Sequence, residues 1–104
     1  MAASHTSSGS VVIVGPDGPD RSTTVISAPS LKVARLVVPA GKNIAEHLAP
    51  GDITVQCLAG AIDFTADGRT TRLGPGELLY LANGIRHSLR GVADAIVLVT
   101  AVSG

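Results

Sequence analysis

Two histidines, His47 and His87, are the side chains whose type and setting most clearly point to chemistry. Residues 85–90 alternate between apolar and polar side chains, which predicts a β-strand with Ile85, His87 and Leu89 on its inner face. A titratable imidazole among aliphatic side chains is either a hydrogen-bonded core residue or part of a functional site. The weaker alternation of residues 42–48 places His47 on another strand.

The reactivity expected of these groups is acid–base chemistry rather than nucleophilic attack. A buried imidazole that stays neutral can act as a general base near physiological pH. Cys57 lies on the apolar face of its strand with Ile53 and Val55, and no basic neighbour in sequence would lower the pKa of its thiol. We therefore expect Cys57 to behave as a small hydrophobic residue.

The elements that must hold these side chains are short strands separated by Gly- and Pro-rich turns. No window has a helical period with helix caps, so the sequence predicts an all-β fold of two packed sheets or a closed barrel. Asp67-Gly68 between two alternating segments predicts a tight hairpin, and Gly60 is predicted to end the strand before it. The predicted β-prone runs are 11–14, 23–26, 31–38, 42–48, 53–59, 61–65, 69–73 and 95–102, and 74–90 is predicted to hold an apolar strand between two turns followed by a second strand over 85–90.

Composition limits the class of partner. The 104 residues suit one domain, for which we expect a disordered N-terminal arm over residues 1–9 and a barrel over 10–104. Eight basic residues balance eight acidic ones without a basic cluster, and Phe64 and Tyr80 are the two aromatic residues, so we expect no nucleic-acid partner. The almost wholly apolar run 95–102 suggests cover on both faces, and hence a homodimer.

The single cysteine and the character of the apolar runs suggest the cellular compartment. Cys57 is the single cysteine, so an intrachain disulfide is impossible, and a reducing compartment fits best. Residues 1–10 lack the basic start and apolar stretch of a signal peptide, and no apolar run reaches the roughly 20 residues of a membrane span. We therefore expect a cytoplasmic protein without a membrane partner.

The two histidine segments resemble the two short motifs of the cupin superfamily of small jelly-roll barrels. Gly41, followed by five residues and His47, matches the opening of the first motif, which Gly60 closes. Gly76, five residues, 82–84, two residues and His87 match the second motif, with alanine in place of its proline. The resemblance covers roughly 36–98 and implies a cupin-like jelly-roll β-barrel, also called a double-stranded β-helix.

The resemblance also implies a divalent metal inside the barrel, but the usual ligand set is incomplete. Ala49 stands where the family has its second histidine, and Ile53 or Thr54 stands where it has a glutamate. A shifted register instead gives His47, His87 and Asp52 as metal ligands. Two imidazoles and one carboxylate would suit zinc or non-haem iron, with manganese and nickel as further candidates.

We therefore expect a barrel that binds a small molecule in an aliphatic pocket bearing both histidines. The expected pocket residues are His47, His87, Gln56, Cys57, Ile53 and Val55. The interpretation favoured from the ligand count is a pocket without a metal, in which hydrogen bonds to each other, Gln56 or water satisfy the histidines. The alternative is a small metabolic enzyme of the isomerase, cyclase or lyase type that uses His47 and His87 as metal ligands or as general acid and base.

Overall fold

The protein is built from antiparallel strands. The computed structural model describes residues 5–48 and 51–103, without the side chains of 46–48. Within this part of the chain every regular element is a strand, so the predicted all-β class is confirmed. No helix in it is long and apolar enough to cross a membrane. The strands are β1 (Thr23–Ala28), β2 (Leu31–Val38), β3 (Asn43–Leu48), β4 (Ile53–Ala66), β5 (Arg69–Leu73), β6 (Leu78–Leu81) and β7 (Arg86–Val102).

Two long strands, β4 and β7, each run through both halves of the barrel. The start of β4 and the end of β7 pair with each other and, on their outer sides, with β6 and β2, giving the order β1-β2-β7-β4-β6. The end of β4 and the start of β7 pair again, now flanked by β5 and β3. Both halves contribute side chains to one core cluster, which confirms the predicted jelly-roll barrel.

The long strands turn from one half to the other at a bulge. The β4–β7 register shifts between Cys57 and Ile62, and Gly60 within that stretch has φ +73°. A Cβ atom at Gly60 would overlap the backbone of Asp94 on β7. The prediction that Gly60 ends a strand is wrong, since glycine here bends β4 without ending it. The predicted strands 85–90 and 95–102 are likewise one continuous β7.

The core follows the alternation of the strands. Ile53, Val55 and Cys57 face inward and expose at most 4% of their surface, and Val97 opposite them is fully buried. On the other half Phe64 is the largest buried side chain, at 1% exposure. Apolar residues alternating along a strand thus give the inner face that the sequence predicted.

The N-terminal segment lies outside the strands but contacts the barrel. The predicted strand 11–14 is wrong, because this run is not paired and leaves Val11 90% and Ile13 99% exposed. Thr6, in the arm predicted to be disordered, donates its N–H to the Ser27 carbonyl and accepts from the Ser27 N–H. This contact places residue 6 beside β1.

Arg35 on β2 holds the loop before β1. Its guanidinium is 3% exposed and donates to the carbonyl oxygens of Gly15, Pro16 and Pro19 at 3.0, 3.1 and 2.7 Å. These are charge-assisted hydrogen bonds to a loop that cannot bond in a sheet, because prolines lack an N–H and interrupt strands.

Candidate functional site

His87 is a buried residue in contact with an aromatic ring. Its side chain is 3% exposed, and its Nδ1 lies 3.1 Å from the carbonyl oxygen of Ile85. The imidazole stacks on Phe64 with ring centroids 5.5 Å apart and an interplanar angle of 16°. The sequence prediction that His87 faces the interior is confirmed, and Phe64 is the neighbour that the sequence did not suggest.

The strand register aligns four residues across four neighbouring strands. His87 on β7 pairs with His47 on β3 on one side and with Ala66 on β4 on the other. Ala66 in turn pairs with Arg69 on β5. The two predicted histidines are thus direct cross-strand neighbours in the backbone, and Arg69 joins their row. The side chain of His47 lies outside the described part of the structure.

A cavity of about 350 Å³ opens beside this row, and we call it the mouth cavity. Its walls come from the end of β4, from β5 and β6, and from the turn before β7. They combine apolar side chains with polar groups in comparable shares. The lining residues are Phe64, Ala66, Asp67, Arg69, Thr71, Leu79, Tyr80, Leu81 and Ile85.

The residues of strand 53–59 that were predicted to form the pocket do not line the mouth cavity. Ile53, Val55 and Cys57 belong to the packed core, and they are not among the lining residues of this cavity. Gln56 is half-buried on the opposite face of β4, where it pairs in register with Leu78. Phe64 connects the two regions, since it belongs to the core and also lines the cavity.

Asp52, the candidate carboxylate ligand, has a structural partner. Its side chain is exposed, and its carboxylate accepts a hydrogen bond of 2.9 Å from the Asn83 N–H. Its backbone carbonyl accepts another from the Val102 N–H at 3.0 Å. These bonds tie the start of β4 to the β6–β7 turn and to the end of β7.

The described side chains do not form a metal-binding site by themselves. Among the residues whose side chains are described, no group of three His, Cys, Asp or Glu side chains is placed to hold a metal ion. A metal site with three protein ligands at His87 would need a donor outside the described side chains, and His47 is the one that the sequence predicts. We therefore derive no chemical step through a metal.

Cys57 has the environment of a structural thiol. The side chain is fully buried, and Sγ donates to the carbonyl oxygen of Ala59 at 3.2 Å. Burial raises the pKa of the Cys57 thiol above its usual range, and the negative charge of Glu77 adds to this, while the Ala59 hydrogen bond acts in the opposite direction. The thiol is therefore protonated at neutral pH, which disfavours nucleophilic attack.

A salt bridge between Arg72 and Asp63 lies on the outer face of the half of the barrel that contains β5. Arg72 donates from Nε to the Asp63 carboxylate at 2.9 Å and from an Nη at 3.2 Å. The hydrogen bond from Arg72 lowers the pKa of Asp63, with the positive charges of Arg72 and Arg90 acting in the same direction. The pair is a surface feature of the sheet, opposite to the face that lines the mouth cavity.

None of the nine residues that line the mouth cavity was among the predicted pocket residues, and Arg69 and Phe64 are the two on which the proposed site depends most. The signal for Arg69 was present in the Asp67-Gly68 hairpin, which is confirmed with φ +53° and +74° at its two central residues. A two-residue turn fixes the register, so it pairs Ala66 with Arg69 and puts Arg69 on the inner face of β5.

Comparison with known proteins agrees with this architecture. A family model described as "Cupin domain" matches residues 34–103. A search of curated protein sequences finds no significant match.

Solved structures give the same fold at low sequence identity. A protein of unknown function from Streptococcus pyogenes superimposes with a TM-score of 0.76 and 24% identity, over 97% of this chain and 93% of that one. A cupin superfamily protein from Desulfitobacterium hafniense gives 0.78 and 17%, over 88% and 84%. A DMSP lyase from Ruegeria pomeroyi gives 0.69 and 23%, over 80% of this chain and 46% of the lyase.

Proposed function

The chain belongs to the cupin domain family, and from this premise we propose that it binds a small molecule in the mouth cavity. The observation that carries the proposal is the cavity itself. Its volume of about 350 Å³ suits a small ligand, and its lining offers both apolar side chains and polar groups that could fix the orientation of a ligand. The apolar wall is formed mainly by Phe64, Leu79, Leu81 and Ile85.

His87 is not among the residues that line the cavity, so it would influence a bound ligand indirectly, through Phe64. Phe64 lines the cavity with 1% of its surface exposed and stacks on His87, so its ring separates the imidazole from a ligand in the cavity. His47 is the backbone neighbour of His87 on β3. Because His87 does not line the cavity, this arrangement favours ligand binding over catalysis by the histidines.

Filling the cavity tests the binding role directly. Ala66 lines the cavity, so Ala66→Leu would occupy part of its volume, whereas Ala93→Leu adds the same atoms at an exposed position of β7. We expect small organic compounds to shift the backbone NMR signals of Ala66, Thr71 and Leu79 in the wild type and in Ala93→Leu, but not in Ala66→Leu. Shifts that survive Ala66→Leu, or that spread over other surfaces, would refute this site.

The second candidate function is an enzyme of the isomerase, cyclase or lyase type. It is favoured by one observation, the burial of an ionisable imidazole at His87 beside a cavity. The lyase among the structural neighbours supports only the fold, because its identity to this chain is 23%.

A metal-dependent version of the enzyme is tested by elemental analysis. We propose to compare the purified protein with His47→Ala, His87→Ala and Asp52→Asn. One equivalent of zinc, iron, manganese or nickel that both histidine substitutions remove would establish a metal site. Metal loss in Asp52→Asn would add the third ligand, whereas unchanged metal content would leave Asp52 with its hydrogen bond to Asn83.

We also propose that the protein is a homodimer through the outer face of the β1-β2-β7-β4-β6 half. Leu78 and Tyr80 on this face are 62% and 64% exposed, and Val102 is 47% exposed. Leu79 and Leu81 face inward, so the alternate residues of β6, Leu78 and Tyr80, face outward and could contact another copy. Light scattering after size-exclusion chromatography should give a dimer for the wild type and a monomer for Leu78→Glu, and a monomeric wild type would refute the proposal.

A further inference from the structure

Arg69 supplies the mouth cavity with a positive charge beside an apolar wall, and from this we infer that its ligand is a small monocarboxylic acid with an apolar body. The inference rests on the proposed binding function and names its ligand class. The carboxylate would bind at Arg69 on the rim, and the apolar body would lie against Leu79 and Ile85, the half-buried apolar residues of the wall.

The placement of Arg69 follows from the alternation of β5. Thr70 and Arg72 point to the outer face, where they hydrogen-bond to Thr65 and Asp63 of β4. Arg69 and Thr71 alternate with them and line the cavity on the other face.

The guanidinium of Arg69 is available to a ligand. Arg35 and Arg72 both have their donors engaged within the protein. Within the described part of the chain, no hydrogen bond or ion pair occupies the Arg69 side chain, although Asp67 lines the same cavity. A guanidinium offers two parallel N–H donors that match the two oxygens of a carboxylate.

The charges at the rim favour a monoanion over a phosphate. One arginine balances a single negative charge, and the carboxylate of Asp67 on the same rim would repel a second one. The apolar side chains of the wall, Leu79 and Ile85 among them, favour a ligand whose remaining surface is apolar.

The test compares acids with their neutral amides. We propose NMR titration with benzoate against benzamide, and cyclohexanecarboxylate against cyclohexanecarboxamide, at low ionic strength, where surface charges are least screened. The wild type should bind each acid about tenfold more tightly than its amide, because the carboxylate carries a charge opposite to that of the guanidinium and can accept two parallel N–H bonds from it, whereas the amide is neutral and has a single carbonyl oxygen to accept one. The signals that move should be those of Ala66, Arg69 and Thr71.

Three variants assign the effect to the rim. Arg69→Gln should weaken binding of the acids by about tenfold and remove their preference over the amides, whose affinity should fall less. Asp67→Asn should strengthen acid binding a few-fold, and asparagine tolerates the φ of +53° at this position. Arg90→Gln makes the same arginine substitution on the exposed outer face and should change neither affinity.

The outcomes separate this inference from the proposed function. Equal binding of acids and amides, or a preference that persists in Arg69→Gln, would overturn the inference while leaving a small-molecule site in place. If neither acids nor amides move the cavity signals, both the inference and the proposed binding site are overturned.

Discussion

The imidazole of His87 lies nearly parallel to the ring of Phe64, with their centroids 5.5 Å apart. Phe64 also lines the mouth cavity, so one aromatic side chain joins the buried histidine to the proposed ligand site. An aromatic pair in an offset stack contributes beyond the area that it buries. The two positions should therefore behave as an energetically coupled unit.

The first prediction concerns this coupling. In a double-mutant cycle of Phe64→Leu and His87→Gln, we expect a coupling free energy of about 0.5–1.5 kcal/mol, measured by urea unfolding. As a control, Phe64→Leu combined with Val33→Ala on β2 should give additive changes. Additivity in the Phe64/His87 cycle as well would show that the stack makes no specific contribution.

The second prediction concerns the bend of β4. Gly60→Ala should lower the free energy of unfolding by more than about 3 kcal/mol, because the new methyl group overlaps the Asp94 backbone and the residue must also keep a positive φ. Gly41→Ala is the matched control, since Gly41 has φ +85° but no atom near its Cβ position. It should cost only the backbone penalty of about 1–2 kcal/mol. Equal losses in the two variants would contradict a role for the close approach to Asp94.

The inner faces of the strands were predictable from the sequence, whereas the path of β4 through Gly60 was not. Period-2 alternation identified the inner faces of β4 and β7, because burial selects apolar side chains on one face whatever the neighbouring strand is. The sequence pattern did not reveal that β4 continues through Gly60. That outcome depends on Asp94, 34 residues away, whose backbone leaves room only for a hydrogen atom at residue 60.

The third prediction concerns the loop held by Arg35. Arg35→Met should leave the carbonyl groups of Gly15, Pro16 and Pro19 without their donor and cost about 2–4 kcal/mol of stability. Proteolysis within 15–20 should also become faster. Lys32→Met is the control on the same strand, because Lys32 is exposed, and it should leave both measurements close to wild type. Unchanged protease resistance in Arg35→Met would show that the loop is held by other contacts.

The site was predictable only in part, for a related reason. The spacing of glycines and histidines resembled the cupin motifs, and the family model confirms that family. The expected pocket, however, was assigned largely to the inner face of strand 53–59, whose side chains Ile53 and Val55 belong to the packed core. The cavity forms where inward positions are taken by smaller or longer side chains such as Ala66 and Arg69, which a hydrophobicity pattern does not single out.

The last prediction concerns the pH dependence of stability at Cys57. Because burial raises the folded-state pKa of this thiol, the unfolded chain ionises first as the pH rises past the ordinary value of 9.0. The unfolded state then binds fewer protons than the folded state. The contribution of the thiol to the free energy of unfolding is therefore fully present below pH 9.0 and is lost as the pH rises toward the folded-state pKa. The loss is at most about 1.4 kcal/mol per pH unit. Urea unfolding at about pH 7 and about pH 9.5 should therefore show a larger loss in the wild type than in Cys57→Ala. Val97→Ala, a truncation of an equally buried side chain without a proton to lose, should keep the wild-type loss. If Cys57→Ala shows the same loss as the wild type, other groups account for the pH dependence and the thiol does not.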